Sequence, residues 1–175
     1  EDQTKKAIVV LSPGRSGSTL LFEDISKSLA RERFPLLTFP KGWRLISGFI
    51  QDPTHIGLFD MNKVVIKSHC YPSNDLLKKN RVVFVAGPAI ESLLSVYYRT
   101  IRDGQSWFKR HQSRLGGSGS YDDLFAKDVL AYKRQMKEWG LFKSNSNLLL
   151  ARYDEIWNKK DEISDFLGFR VHVRD

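Results

Sequence analysis

An α/β domain of three layers, a short parallel sheet with helices on both faces, is the architecture to expect from these 175 residues. Two observations carry it. Four short segments are continuously apolar and rich in Val, Ile or Leu, as strands covered on both faces should be. The stretches between them space their apolar residues as helices do, and strands alternating with helices argue for a parallel sheet between helical layers. The length suits one domain spanning residues 1–175. It can bury roughly two-thirds of the unfolded surface without a disulfide or zinc staple.

Ala7–Leu11 is the first strand. Thr19 to about Arg33 follows as a helix, with Leu21, Ile25 and Leu29 at four-residue spacing. Phe34–Asp60, with three prolines and three glycines, reads as a long irregular excursion. Lys63–Lys67 and Arg81–Ala86 are the second and third strands. Pro88 opens a helix reaching about Arg102, since proline suits a first helical turn. Gly104–Ser120 closes on Gly116-Gly117-Ser118-Gly119-Ser120, the composition of a flexible hinge or lid. Ser120 followed by Asp123 resembles a helix-start cap, so a helix is expected from there to Trp139, with Gly140 as its stop. Leu148–Tyr153 is the fourth strand, and Lys160–Leu167 is a last short helix ended by Gly168.

The strongest chemical signal joins the first strand to the first helix: Pro13-Gly14-Arg15-Ser16-Gly17-Ser18-Thr19. Glycines let the backbone turn back tightly, so successive N–H groups and the helix start converge on one point. Hydroxyls and an arginine add side-chain donors there. These are the makings of a phosphate site. It has neither the GxxxxGK[ST] spacing of a nucleoside triphosphatase loop nor a GxGxxG dinucleotide fingerprint. A second signal is Lys67-Ser68-His69 at the end of the next strand. A histidine there sits where α/β sheets build ligand crevices, and an ordinary imidazole can act as a base at neutral pH.

The form PGRSGSTLL resembles the 5′-phosphosulfate-binding loop of sulfotransferases that use 3′-phosphoadenosine-5′-phosphosulfate (PAPS). Lys67-Ser68-His69 resembles that family's strand ending in Lys-Thr-His. Arg81–Arg99 is similar to its 3′-phosphate motif, with Ser95 on the motif serine and Tyr97-Tyr98-Arg99 after it. NLLLARYDEIW and EISDFLGF resemble the family's strand ending in Arg-Tyr-Glu and its Phe-Leu-Gly helix. The resemblance implies a P-loop nucleotide-hydrolase-like fold and transfer of a sulfuryl group from PAPS to a hydroxyl or amine, leaving adenosine 3′,5′-bisphosphate (PAP), with no metal. It implies that Pro13, Gly14, Arg15, Ser16, Gly17, Ser18 and Thr19 surround the 5′-phosphate and that His69 deprotonates the acceptor. Arg15 and Lys67 would stabilise the leaving phosphate and the sulfuryl oxygens, and Ser95 and Arg99 would meet the 3′-phosphate.

The sequence departs from that pattern at three places. The arginine expected eight residues before Ser95 is Gly87, with Arg99 and Arg102 as the substitutes available one turn further on. The aromatic that often follows the phosphate loop is Leu20. The family's later glycine-rich basic loop over the nucleotide has no counterpart in these residues. Two other readings therefore stay open: a small-molecule or nucleotide kinase with a variant phosphate loop, and a non-catalytic sulfotransferase-like module that binds anions.

Charge agrees with an anionic ligand. The chain carries 28 Lys and Arg against 20 Asp and Glu, and residues 31–115 hold fourteen basic against six acidic, which is the whole surplus. The expected partners are a nucleotide cosubstrate and an unidentified acceptor, and not a nucleic acid. Trp43 and Trp107 fall in the irregular stretches that would shape the acceptor pocket, whereas Trp139 and Trp157 belong to helical patterns and the core. A lone Cys70 excludes an intramolecular disulfide framework and a cysteine-cluster metal site. His55, His111 and His172 have no ligand spacing, so no metal is expected. No apolar run approaches the roughly 20 residues of a membrane span. The polar start EDQTKK points to a cytoplasmic setting, although Glu1 as first residue leaves room for a removed targeting segment.

Overall fold

Ile8 and Val10 face one core while Val9 and Leu11 face another, the two-residue alternation of a strand buried on both sides. In the computed structural model, which describes residues 7–37, 39–50 and 64–174, this strand is the centre of a parallel five-stranded sheet. Its members are β1 (Ala7–Leu11), β2 (Ser47–Phe49), β3 (Val65–Ser68), β4 (Asn80–Ala86) and β5 (Leu148–Arg152), in the order β2-β3-β1-β4-β5. On one face lie α1 (Ser18–Arg33) and α6 (Lys160–Leu167), contributing Leu21, Ile25, Leu29, Ile163 and Leu167. On the other lie α2 (Asn74–Lys79) and α5 (Tyr132–Gly140), with Leu76, Leu77 and Trp139. A third cluster holds α3 (Ala89–Asp103) to α4 (Gln105–Arg114) through Val96, Phe108, Leu115 and Leu124.

Leu11 is in register with Ser68 on one side and Phe84 on the other. The carboxyl ends of β1 and β3 are therefore level while β4 runs two residues further, to Ala86, and the chain leaves β1 with β3 and β4 on opposite sides. In open α/β sheets such a point opens a crevice.

The four expected strands are present, three as central or paired members close to their expected bounds; of the second, Lys63 lies outside the described residues. The irregular excursion contains short 3-10 turns at Pro35–Leu37 and Gly42–Leu45 and the edge strand β2, while residues 51–60 lie outside the described part. Two expectations are corrected. Gly104–Ser120 is no hinge: α4 fills most of it, and Gln112 Nε2 donates to the carbonyls of Gly119 (3.1 Å) and Val129 (3.0 Å). Gly117 lies so close to the Val129 carbonyl that a Cβ would fall 2.2 Å from its oxygen, so these glycines permit tight packing. The helix expected from Ser120 to Trp139 is also broken. Ser120 caps only a 3-10 turn, Tyr121–Asp123, and α5 starts at Tyr132 after Ala131 adopts φ 55°. The Asp128 carboxylate accepts the N–H groups of Lys133 and Arg134, both at 3.1 Å, and so caps the later start.

Candidate active site

The loop from β1 to α1 turns through three left-handed residues, Gly14 (φ 86°), Arg15 (φ 52°) and Gly17 (φ 74°). Gly17 has two reasons to be glycine. Its φ disfavours a Cβ, and a Cβ there would meet the Tyr153 ring at 1.8 Å. Arg15 bears the same backbone cost without being glycine, which is the kind of strain that clusters at functional loops. No side chain caps α1 and no acidic residue stands in its first turn, so its amide groups and dipole face the cleft uncompensated.

Buried serines hold this cradle. Ser12 Oγ and Ser18 Oγ are 2.8 Å apart, Ser16 Oγ donates to the Gly14 carbonyl at 3.0 Å, and Ser16 and Ser92 hydroxyls meet at 3.2 Å. Satisfying one another's hydroxyls fixes the loop before any ligand arrives. Tyr132 adds a hydrogen bond to the Gly87 carbonyl at the end of β4.

A cleft of about 460 Å³ opens beside the cradle, a size suited to a nucleotide-sized ligand. Arg15, Ser16, Gly17, Ser18 and Thr19 line one wall, Lys67 and His69 a second, and Arg99, Trp107 and His111 a third. Lys67 Nζ donates to Thr19 Oγ1, and Arg15 Nε donates to Ser95 Oγ at 2.9 Å. Pro13 and Gly14 are buried behind the loop, where Gly14 packs against Leu115 and His111. Of the two substitutes for the arginine missing at Gly87, Arg99 lines the cleft, ion-paired to Asp103 and lying over Trp107. Arg102 is exposed and paired with Asp103, outside the cleft lining.

The electrostatics follow from crowding. Burial, then the Arg99 and Arg102 charges, lowers the Arg15 guanidinium, which stays cationic. Burial and Arg15 push Lys67 down to about 8 against the opposite pull of Glu23. His69 is pushed down to about 4, chiefly by burial and further by Lys67 and Arg114. His69 Nδ1 lies 2.9 Å from the Ser12 carbonyl, and since a carbonyl only accepts, Nδ1 carries the proton and Nε2 keeps its lone pair. The imidazole is neutral and oriented, with its lone pair at Nε2.

Sequence reasoning did not find every residue here. His111, read as isolated, stacks on Trp107 (4.9 Å) with its ring 6.4 Å from that of His69, and burial then His69 lower it to about 4. Residues 107 and 111 are one helical turn apart, a signal masked by reading this segment as a hinge. Ser92, one turn before Ser95, was legible by the same spacing. Trp43, in the irregular excursion, packs against Phe22 of α1 at 6.2 Å.

Among solved structures, retinol dehydratase in complex with androsterone and inactive cofactor PAP matches at 16% identity over 95% of this chain and 60% of that one, with a TM-score of 0.60. Retinol dehydratase with retinol and PAP gives 16%, 96%, 61% and 0.62. Mouse sulfotransferase SULT7A1 complexed with PAP gives 16%, 96%, 60% and 0.59. The chain has the sulfotransferase fold. It spans about 60% of the length of those proteins. No family model matches the sequence, and no curated protein matches it. On this sulfotransferase fold, the donor set fits a nucleotide's 5′-phosphate end: an uncapped helix start, backbone turned by two glycines, and the cations Arg15 and Lys67. It fits the 3′ end less well, because Gly87 supplies no guanidinium and Arg99 is already paired.

Proposed function

We propose that this chain transfers a sulfuryl group from PAPS to a hydroxyl or amine acceptor. The observation that carries the reading is the convergence of the phosphate cradle, Lys67 and the Nε2 lone pair of His69 on one cleft. PAPS supplies the activated sulfuryl group and a phosphate leaving group. The amide groups of Gly14–Thr19 hold the 5′-phosphate, and Arg15 meets the charge that grows on it as the S–O bond breaks. Lys67, held beside Thr19, faces the equatorial sulfuryl oxygens. His69 Nε2 takes the acceptor proton as the new O–S or N–S bond forms, while the Ser12 carbonyl steadies Nδ1–H. Trp107 and His111 shape the acceptor side of the cleft. The titratable cations repel one another, so an anionic donor relieves them on binding.

Gly87 favours a second reading, a sulfotransferase-fold module that binds anions without transfer. One assay separates the two: labelled sulfate followed from PAPS to a panel of hydroxylated and amine acceptors. Transfer by the wild type that drops roughly 10²–10⁴-fold in His69→Ala, with PAP affinity held within a factor of about two, supports the enzyme. Transfer unchanged in His69→Ala removes the base. PAP binding without transfer to any acceptor supports the module.

A further inference from the structure

Helix α4 turns a mixed face toward the mouth of the cleft. Trp107, Arg110, His111 and Arg114 follow one another at three- and four-residue spacings, so at about 100° per residue they share roughly 100° of arc. The side that carries Phe108, Gln112 and Leu115 is buried. Trp107 and His111 line the cleft, and Arg114 carries the same face beyond it. There its guanidinium lies over the ring of Phe49, 5.9 Å from the ring centre, and Phe49 meets the ring of His69 at 5.8 Å in a T-shaped contact. Imidazole, aromatic ring and cation form a row that leads out of the cleft.

Two features of this row point to a ligand. Phe49 ends the edge strand β2 with its side chain 48% exposed, although it stands beside His69. Arg114 has no carboxylate within ion-pairing distance among the described residues, whereas Arg99, Arg102, Arg134 and Arg152 are each paired with one. Arg114 is also near enough to His69 and His111 for its charge to help keep both imidazoles neutral. An unpaired cation in that position, added to Arg15 and Lys67, leaves the mouth of the cleft complementary to an incoming anion.

We propose that the acceptor is a hydroxylated ring compound bearing a carboxylate, seated with its ring against Phe49, its carboxylate on Arg114 and its hydroxyl at Nε2 of His69. This rests on the sulfuryl-transfer reading of the cleft and narrows the acceptor it leaves open. An exposed aromatic ring between base and cation suits a flat, apolar middle. A guanidinium offers a carboxylate two parallel N–H donors, so Arg114 fixes the far end of the molecule as well as attracting it. The 5′-phosphate of the donor is met by the cradle, Arg15 and Lys67, and Arg114, outside the cleft lining, is left for the acceptor. At the reacting end the hydroxyl oxygen bonds to sulfur, the S–O bond to the 5′-phosphate breaks with its electron pair going to PAP, and the proton passes to His69. The carboxylate takes no part in that exchange; it selects and orients.

Calorimetry with 3-(4-hydroxyphenyl)propionate and with its methyl ester, PAP being present throughout, tests the seat by binding alone. The acid should bind about tenfold or more tightly than the ester. Arg114→Gln should bring the two within about twofold of each other, and Arg114→Lys, which keeps the charge, should retain most of the preference. Arg114 is exposed, so both variants should melt with the wild type. In transfer of labelled sulfate from PAPS, Arg114→Gln should raise KM for the acid more than it lowers kcat. An acid bound no better than its ester by the wild type, or a preference that survives Arg114→Gln, would overturn the proposal. Acid bound through Arg114 but never sulfated would uphold the anion seat and remove sulfuryl transfer. Sulfate transfer with no preference for the acid would remove the seat and leave sulfuryl transfer standing.

Discussion

Arg15 Nε donates a hydrogen bond to Ser95 Oγ across 2.9 Å, tying the phosphate loop to α3. The guanidinium is thus aimed before a ligand arrives, and less conformational freedom is lost on binding. Replacing Arg15 by Ala should weaken PAP by roughly 1.5–3 kcal/mol, the worth of a hydrogen bond to a charged group. Ser95→Ala should cost less, because the charge remains and only its aim is lost. Titration calorimetry on both variants checks the order, and a larger loss in Ser95→Ala would contradict it.

Gly87 can be tested by restoring what it lacks. A Cβ at this position would meet Ser16 and Tyr153 no closer than 3.7 Å, ordinary contact distance. The site therefore admits a side chain. Gly87→Arg should tighten PAP by about tenfold or more while leaving adenosine 5′-phosphate unchanged, as one added contact to the 3′-phosphate would. Equal effects on both nucleotides would place the new guanidinium elsewhere.

His69 and His111 make stability depend on pH. Unfolded, both take protons near 6.5; folded, both hold off until about 4. Between these values the unfolded chain binds more protons, so the folded state loses stability as pH falls through this window, on the order of a few kcal/mol for the two, and loses no more from them below it. Melting temperatures of the wild type and of the His69→Phe, His111→Phe chain, measured from pH 7 to 4, should diverge in slope. Parallel curves would show that neither imidazole is held neutral by burial.

Gly17 should tolerate no side chain. Gly17→Ala combines a left-handed φ with a Cβ 1.8 Å from the Tyr153 ring, and should destabilise the fold by well over ~1 kcal/mol. Tyr153→Ala added to it relieves the clash but not the backbone cost, so denaturant melts should show partial rescue. Full rescue would mean that the φ value carries no cost.

Much of this was legible because the residues that matter obey strong local rules. β1, β3 and β4 are buried on both faces, and continuous Val and Ile runs announce that. Pro13–Thr19 declares its turn through its glycines, and His69 follows two residues after Lys67 at a strand end. What escaped was decided by tertiary contacts. β2 is three residues long at a sheet edge, too short to show a period. α4 is largely polar and borders four glycines, whose usual meaning is freedom; here Gln112 and Val129 hold Gly117 and Gly119 in close packing. α5 begins at Tyr132 because Asp128 caps it, whereas Ser120 and Asp123 suggested a start eleven residues too early by spacing alone.

The proposal stands most directly on one comparison: calorimetric titration with PAP, set beside ATP with Mg²⁺. PAP should bind one to one, lose affinity in Arg15→Ala and keep it in His69→Ala, while ATP with Mg²⁺ binds far more weakly. No binding of PAP at millimolar concentration to the folded chain, with ATP and Mg²⁺ binding in its place, would contradict the reading of this cleft as a PAPS site.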